Sequence, residues 1–494
     1  MKRSDYMNGW QEPKDGKRIY VVSDNSPLLD FGEFIKYKDM ERLHISYSES
    51  RINLGIHYYH SQLYSSNLVG ICRLKTSDGD NLYDEEGNEL LLKVVPRFNV
   101  TVVELLNYIR DDDEFDRYLA PQTRSNRHQE KEIEAIDKNE IFYFFENEKP
   151  LKVDDGISAE NSIITVTVFL ALLKSLCKRP LMGKMLRQEE NLTGKVKGKV
   201  VIEKNMRTNT MHGRNDRFFC RYLQFTDDIP ENQILKAALK KAKRYILDYF
   251  GEHGRDSNNY SSMISYCSNA LRHISDVRFC GNDCKGYRFT GCYAYYKPVM
   301  IMAQMVLNDI SIESNGKANT TGYIIPYAIS MEKLFEVYVR AYLKKNGFKS
   351  YKDKSSTGVR LEKFDEKTDV FVEEDGLENP GKYIAGPIKP DIILTEVETG
   401  ETVVMDVKYK DYSKGDSRND RLQLLAYSMM MNANNVGIIL PTQTEIEIFS
   451  PRRINSMESR TIRYHQMLLG ISTDNTDVAD YIKNNTFAKK DTPQ

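Results

Sequence analysis

The chain lacks any run of apolar residues approaching the roughly 20 that a membrane-spanning helix needs. Its best candidate, Ile163 to Leu176, is too short and reads as a buried helix. Lys2, Arg3 and Asp5 stand near the start with no apolar stretch behind them, so no secretory signal is expected. Cysteine is sparse, seven residues in an odd and scattered set. That argues against a disulfide framework and suits a reducing cytoplasm. No G-x-x-x-x-G-K-[ST] sequence occurs, so no nucleotide should be bound by this chain through a P-loop. No internal repeat or low-complexity tract is evident. Net charge is almost absent, −1 from 70 basic and 71 acidic side chains, so only local patches speak of partners.

What is present is enough apolar residue, 40% of 494, for ordinary cores. A chain of that length holds roughly two to four domains. The pattern reads as α+β and multidomain. Residues 1–40 are polar and irregular, with Pro13, Asp15 and Gly16. Residues 41–150 read as β-rich, with strands over Leu54–Tyr59, Leu68–Leu74 and Leu90–Phe98 and turns at 77–80 and 86–88. An acidic break at 111–114 and a charged stretch over 121–140 follow. Residues 151–314 read as mixed α/β and helical, with helices at 160–178 and 230–250 and a tyrosine-rich helical stretch over 255–310. Residues 315–322 (N-G-K-A-N-T-T-G) are the expected linker. A further domain runs over 323–470, and 471–494 form a polar tail.

The chemistry concentrates in that last domain. Lys389-Pro390-Asp391 opens one apolar strand, and Val404-Met405-Asp406-Val407-Lys408 lies on the next. Glu398, Thr399 and Gly400 form the turn between them. Asp406 and Lys408 are two apart, so on a strand they share a face. Asp391, Asp406 and Lys408 should therefore meet at one end of a sheet. Hard carboxylate oxygens hold Mg²⁺. The metal polarises a phosphoryl group and activates a water, and a lysine orients that water or neutralises developing charge. The bland reading of the same residues is an edge-strand proline, a turn aspartate and an exposed strand face. Downstream, 419–434 reads as a helix with Leu422, Leu425, Ala426 and Met429 as its apolar stripe, and Gln423 and Tyr427 on one face. A buried strand follows over Val436–Pro441. Upstream, 329–345 reads as a helix with Leu334, Phe335, Tyr338 and Tyr342 in a core and Glu332 and Glu336 on one face.

A basic segment lies earlier. Gly194 to Arg221 holds Lys195, Lys197, Lys199, Lys204, Arg207, Arg214, Arg217 and Arg221 against Glu203 and Asp216, about +6 by count. The alternating lysines 195, 197 and 199 should line one strand face. Such a face follows a phosphate backbone, guards an edge strand against unwanted pairing, or docks on an acidic protein surface. Cys267, Cys280, Cys284 and Cys292, with His273, fall close together, but only Cys280-x₃-Cys284 has the short spacing of structural zinc. Isolated buried thiols are the better expectation.

Pro390-Asp391 and Asp406-Val407-Lys408 resemble the PD-(D/E)xK nuclease signature. The order helix, strand hairpin, helix, strand matches its αβββαβ core. Leu334-Phe335-Glu336, Lys389-Pro390-Asp391, Asp406 to Lys410, and Asp420 with Gln423 and Tyr427 resemble the C-terminal half of the McrC family. Phe225 to Leu235, Gly194 to Val200, Val69 to Leu74, Val95 to Phe98 and Leu105 to Tyr108 are similar to more upstream parts of that family. The resemblance touches most of 45–450.

This resemblance implies a restriction endonuclease subunit that docks on an McrB-like AAA+ GTPase hexamer, stimulates it and cuts modified double-stranded DNA. It implies catalytic roles for Asp391, Asp406, Lys408, Glu336, Gln423 and Tyr427. Asp391, Asp406, the Val407 carbonyl and Glu336 would ligate Mg²⁺, for which Mn²⁺ substitutes. Lys195, Lys197, Lys199, Arg207, Arg214 and Arg217 would face DNA or the partner. A non-catalytic activator of a partner NTPase and a stand-alone repair nuclease are the alternatives.

Overall fold

The structure, a computed structural model, describes residues 8–43, 45, 52–98, 102–109, 141–144, 151–153, 155–253, 258–309, 322–324, 326–348, 362–365, 370–373, 390–395, 402–411, 418–442, 452–455, 461–470 and 476–486. The chain is mixed α/β and packs as two compact units. Met1–Phe115, Lys131–Phe144 and Pro326–Gln494 form the first; Asp116–Glu130 and Phe145–Ile325 form the second. The stretches expected at 111–114 and 121–140, and the turn at 398–400, lie outside the described residues, as does all but Gly322 of the expected linker.

The first unit begins with β1 (Gly9–Trp10), β2 (Lys17–Ser23) and the short α1 (Tyr37–Arg42). Residues 17–23, expected to be irregular, run parallel to a later strand with Tyr20, Val21 and Val22 buried. The run Ile19-Tyr20-Val21-Val22 after the Asp15-Gly16 turn is short and apolar, as a strand covered on both faces requires. A hairpin of β3 (His57–Tyr59) and β4 (Gln62–Tyr64) follows. The strand expected from Leu54 starts only at His57, because Asn53 and Leu54 take left-handed φ values of 50° in a 3₁₀ turn. β5 (Leu68–Arg73), β6 (Glu89–Val95), α2 (Val102–Ile109) and β7 (Phe142–Phe144) complete this part.

The second unit holds β8 (Leu151–Val153), α3 (Asp155–Cys177), β9 (Lys184–Thr193), β10 (Lys199–Val200), α4 (Ile202–Thr208), β11 (Arg217–Thr226), α5 (Pro230–His253), α6 (Asn258–Ala270), α7 (Tyr296–Asp309) and β12 (Gly322–Ile324). Val166, Phe169, Leu170 and Leu173 of α3 are all buried, so its apolar run is a core helix. Among the described residues no helix is long and apolar enough to cross a membrane. Residues 255–310 are helical only towards their ends. Between α6 and α7 the described backbone is irregular apart from two 3₁₀ turns, Gly281–Cys284 and Gly291–Tyr293.

The segment Phe225 to Leu235 joins β11 to α5. Its Asn232 is fully buried and fully used: Nδ2 donates to the carbonyls of Met182 (2.9 Å) and Asp227 (2.7 Å), and Oδ1 accepts from the Tyr296 hydroxyl at 2.9 Å. A buried amide that loses any such partner costs its desolvation, so Asn232 pins the β9 entry, the turn and α7 together.

The chain then returns to the first unit through β13 (Tyr327–Ser330), which inserts between β5 and β7. The resulting six-stranded sheet has the order β1-β2-β6-β5-β13-β7. Gly70 permits this pairing, since a Cβ there would lie 2.0 Å from the Tyr327 carbonyl oxygen. Ser330 ends β13 and caps α8 (Met331–Lys345), its hydroxyl accepting from Lys333 N at 3.4 Å. Next come a hairpin of β14 (Glu362–Asp365) and β15 (Val370–Glu373), then β16 (Ile392–Thr395), β17 (Thr402–Val407), α9 (Arg418–Met430), β18 (Asn435–Thr442), β19 (Arg452–Asn455) and β20 (Thr461–Gly470). The second sheet runs β16-β17-β18-β20-β19. Its three central strands are parallel to one another, and β16 and β19 are antiparallel edges.

The expected polar tail contains α10 (Asp477–Asn485), with Val478, Ala479 and Ile482 buried. That apolar stripe is too short to stand out in a polar segment. The Tyr342 hydroxyl accepts from Ala479 N at 3.1 Å, and His465 Nδ1 lies 3.1 Å from the Tyr481 hydroxyl. Burial pushes the His465 imidazole down to about 4, so it sits neutral between Tyr481 and Asn435.

Candidate active site

Asp391 stands just before β16, and Asp406 and Lys408 stand at the end of β17. The antiparallel register pairs Ile392 with Met405, which brings Asp391 level with Asp406 and Val407. Asp391 Oδ2 accepts from Val407 N at 2.9 Å. Lys408 lies just past the strand, yet its N–H still donates to the Ile439 carbonyl at 3.0 Å, so the alternation that puts it beside Asp406 continues. Lys408 Nζ is 2.8 Å from Asp406 Oδ2, and that carboxylate is 1% exposed. Burial first, and the adjacent Asp391 second, push Asp406 up to about 7 against the pull of Lys408. Burial works against the Lys408 ammonium, but Asp406, Asp391 and Glu332 outweigh it and hold its pKa above the ordinary lysine value.

Two carboxylates pressed together in a buried place, with too little positive charge between them, have the chemistry of a hard-cation site. The residues that would hold such a cation are Asp391, Asp406 and the Val407 carbonyl. Among the described residues no group of three His, Cys, Asp or Glu side chains converges on one point.

The structure sets Glu336 apart from the two aspartates. It is 4% exposed on α8, paired with Arg340 one turn on and with Lys333 Nζ at 2.6 Å. Arg340 Nε in turn donates to the Asp391 carbonyl at 3.3 Å. Glu336 thus reaches the site through Arg340. Glu332 lies at the surface, where its Oε2 accepts from Asn67 Nδ2 at 2.8 Å.

On α9, Gln423 Nε2 donates to the Tyr427 hydroxyl at 2.7 Å. Burial raises the Tyr427 pKa, Gln423 pulls against it, and Asp406 and Asp391 add to it, which places the phenol in their field. Lys410 Nζ holds both oxygens of the buried Asp420 at 2.8 Å. The expected apolar stripe of α9 is only partly the buried face: Leu425 packs against the core, but the centre of the buried face lies elsewhere. Leu422 is 52% and Met429 73% exposed, whereas Asp420, Leu424, Tyr427 and Ser428 are buried. Tyr427 turns to the acids and Asp420 to Lys410, while Leu422 and Met429 are left outside.

Sequence reasoning missed a second wall. A cavity of about 500 Å³ opens beside Lys408, Tyr409, Lys410 and Glu332. Its far side comes from the first hundred residues: His57, Tyr59 and Tyr64 of the β3–β4 hairpin, with Asn67 and Arg97. Arg97 donates to the Tyr409 carbonyl at 2.5 Å, and its guanidinium lies 5.1 Å from the Tyr409 ring centroid. Phe98 meets Tyr409 edge-on at 5.0 Å. No local signal in the sequence joins residues so far apart.

The basic segment belongs to the second unit and differs from its expected form. Lys195 and Lys197 lie in a loop, and only Lys199 is on a strand. Gly194 and Gly198 take φ of +69° and +67°, left-handed values that interrupt extended pairing. At Gly198 a Cβ would also lie 2.5 Å from the Arg221 carbonyl oxygen. β9 brings acids the basic count did not include. Glu189 pairs with Lys204 and with Arg221 (2.6 Å), and Glu190 accepts from the Tyr222 hydroxyl at 2.7 Å. Lys197 sits 4.0 Å over the Tyr222 ring and Arg207 pairs with Glu203 at 3.0 Å, while Arg214 and Arg217 are exposed. The cysteines do not gather. Cys267 and Cys284 are buried, Cys280 and Cys292 exposed, and among the described residues no three His, Cys, Asp or Glu side chains form a metal-binding group.

These observations define a class: a mixed α/β chain with a carboxylate–lysine centre on adjacent strands. Its family follows from comparison. The model of the McrBC 5-methylcytosine restriction system component family matches residues 144–441, more than half of the chain, and the chain belongs to that family. No curated protein matches it in sequence. Among solved structures it is similar to a chain of a refined half-complex from a tetradecameric assembly of Thermococcus gammatolerans McrB AAA+ hexamers with bound McrC. The identity is 13% and the TM-score 0.35, over 92% of this chain and 94% of that one. It is also similar to a chain of the Thermococcus gammatolerans McrBC complex, at 13% identity and TM-score 0.28, over 67% of this chain and 88% of that one. The family assignment rests on the family match.

Proposed function

We propose that this chain is the DNA-cutting subunit of its restriction system, a Mg²⁺-dependent endonuclease with a PD-(D/E)xK catalytic domain. The observation that carries this is the meeting of Asp391, Asp406 and Lys408, with Asp391 on Val407 N at 2.9 Å and Lys408 2.8 Å from Asp406. Membership of the McrBC family supports the restriction role and, with it, an McrB-like AAA+ GTPase as partner. Asp391 and Asp406 hold the cation, with the Val407 carbonyl as a further ligand. Mg²⁺ bound there supplies Lewis acidity to the phosphoryl group and lowers the pKa of water. Lys408 orients the attacking water and offsets the charge that develops on the phosphoryl oxygens. Tyr427, held by Gln423, steadies that end of the site. Glu336 acts through Arg340, which fixes the Asp391 backbone.

The test is cleavage of modified and unmodified plasmid in Mg²⁺ by the wild-type chain and by Lys408→Ala. Each is assayed with and without the AAA+ protein encoded beside it and GTP. Cutting by wild type alone, and only with partner and nucleotide, is expected. Nucleotide-independent cutting by the isolated chain would replace this reading with a stand-alone nuclease. No cutting, with faster nucleotide hydrolysis by the partner, would leave a non-catalytic activator.

A further inference from the structure

The cavity beside Lys408 has two unlike walls. One is the candidate catalytic strand end, with Lys408 and Lys410 and, beside them, the acids Glu332 and Asp411. The other is built by the β3–β4 hairpin together with Arg97, which is fixed by the Tyr409 carbonyl and by Asp24 at 3.6 Å. The hairpin turn is tight, with His60 and Ser61 both left-handed at φ 46° and 66°. Tyr59 and Tyr64 stand on it with ring centroids 5.7 Å apart and perpendicular. Tyr59 is 58% exposed, so the hydrophobic core does not explain it. His57 Nδ1 donates to the Gly55 carbonyl at 3.1 Å, which leaves Nε2 as its remaining polar atom. Arg97, Lys408 and Lys410 outnumber the two acids on the lining, and cations for phosphate with an exposed tyrosine for a base, in a space of nucleotide size, are a combination that grips a nucleic-acid strand.

We propose that the β3–β4 hairpin is the second jaw of the cleavage site. The nucleotide next to the scissile phosphate lies in this cavity, its base against Tyr59 and Tyr64 and its phosphate on Arg97 and Lys410. This rests on the nuclease reading of Asp391, Asp406 and Lys408, and extends it to a part of the chain that carries none of those residues. It makes Tyr59 a substrate-positioning residue, felt in DNA affinity and KM more than in kcat.

The experiment uses the full complex with partner, nucleotide and modified plasmid. It compares wild type with Tyr59→Ala, Tyr59→Trp and Lys408→Ala. Tyr58→Ala serves as control, on the same hairpin, 57% exposed and not part of the cavity wall. Affinity is read separately by anisotropy of a fluorescent oligonucleotide with Ca²⁺ in place of Mg²⁺. Tyr59→Ala should lose roughly ten-fold or more in kcat/KM, carried by KM, with a matching loss of affinity. Tyr59→Trp should restore both, and Tyr58→Ala should match wild type. Stimulation of the partner's nucleotide hydrolysis should not change in any of them.

Wild-type cutting by Tyr59→Ala would overturn the second jaw and leave the nuclease reading standing. Cutting by Lys408→Ala would sink the nuclease reading itself. Loss of hydrolysis stimulation by Tyr59→Ala with DNA affinity kept would also overturn the proposal, because the cavity would then receive protein.

Discussion

At the residue scale, Asp406 is where stability and activity pull apart. Its carboxylate is buried and faces Asp391, and its folded pKa of about 7 stands above the ordinary 3.8. A folded pKa raised in this way means the folded state holds the proton more tightly. The stability it brings is complete below about pH 4 and is lost as pH rises through about 7. At pH 8 without metal the charged side chain therefore costs stability. Asp406→Asn should stabilise the fold in EDTA by on the order of 2 kcal/mol, and so raise its melting temperature, while cleavage is lost. Mg²⁺ should raise the melting temperature of wild type and leave that of the variant nearly unmoved. Thermal melts at pH 8 in EDTA and in Mg²⁺ check both, and a variant that melts lower in EDTA would refute the account. The residues of this centre were legible because a period of two fixes which strand side chains share a face. The Glu336–Arg340 pair was not legible, because an acid and an arginine one helical turn apart look the same in sequence whether the acid binds a cation or the arginine.

At the element scale, α9 shows how a site overrides hydrophobic patterning. The sequence offers Leu422, Leu425, Ala426 and Met429 as a stripe, and periodicity alone prefers it. The helix instead buries Leu424 and Tyr427 against Val404 and Val436. Tyr427 lies in the field of Asp406 and Asp391 and Asp420 pairs with Lys410, and the helix is rotated to keep both while Leu422 and Met429 stay outside. Leu424→Ala should cost about 2–4 kcal/mol in chemical denaturation, as a core truncation does. Leu422→Ser and Met429→Ser should each change stability by less than about 0.5 kcal/mol. Equal losses at Leu422 and Leu424 would show that the outer face is covered. α10 and β2 escaped for a different reason: each carries only a few apolar residues in polar surroundings, and the signal that makes them structured is the surface they land on.

At the scale of the whole molecule, the first unit is discontinuous, joining the sheet of residues 9–144 to the α8–β20 region through β13. Strand pairing across more than two hundred residues leaves no local mark, so this assembly was not legible in the sequence. One consequence concerns counting. On the proposed nuclease reading, a chain whose described residues hold one carboxylate–lysine centre cuts one strand, because in-line hydrolysis at a single site leaves the complementary phosphate untouched. A double-strand break therefore needs two chains, each with an intact Lys408. When wild-type and Lys408→Ala chains are mixed at a constant total with saturating partner and nucleotide, doubly competent pairs should fall as the square of the wild-type fraction. At equal parts, about one quarter of the linear product should remain, and nicked circles should accumulate in its place. Gel quantification of linear against nicked plasmid across the mixing series decides it. A linear decline without nicked intermediates would mean that one chain cuts both strands in turn.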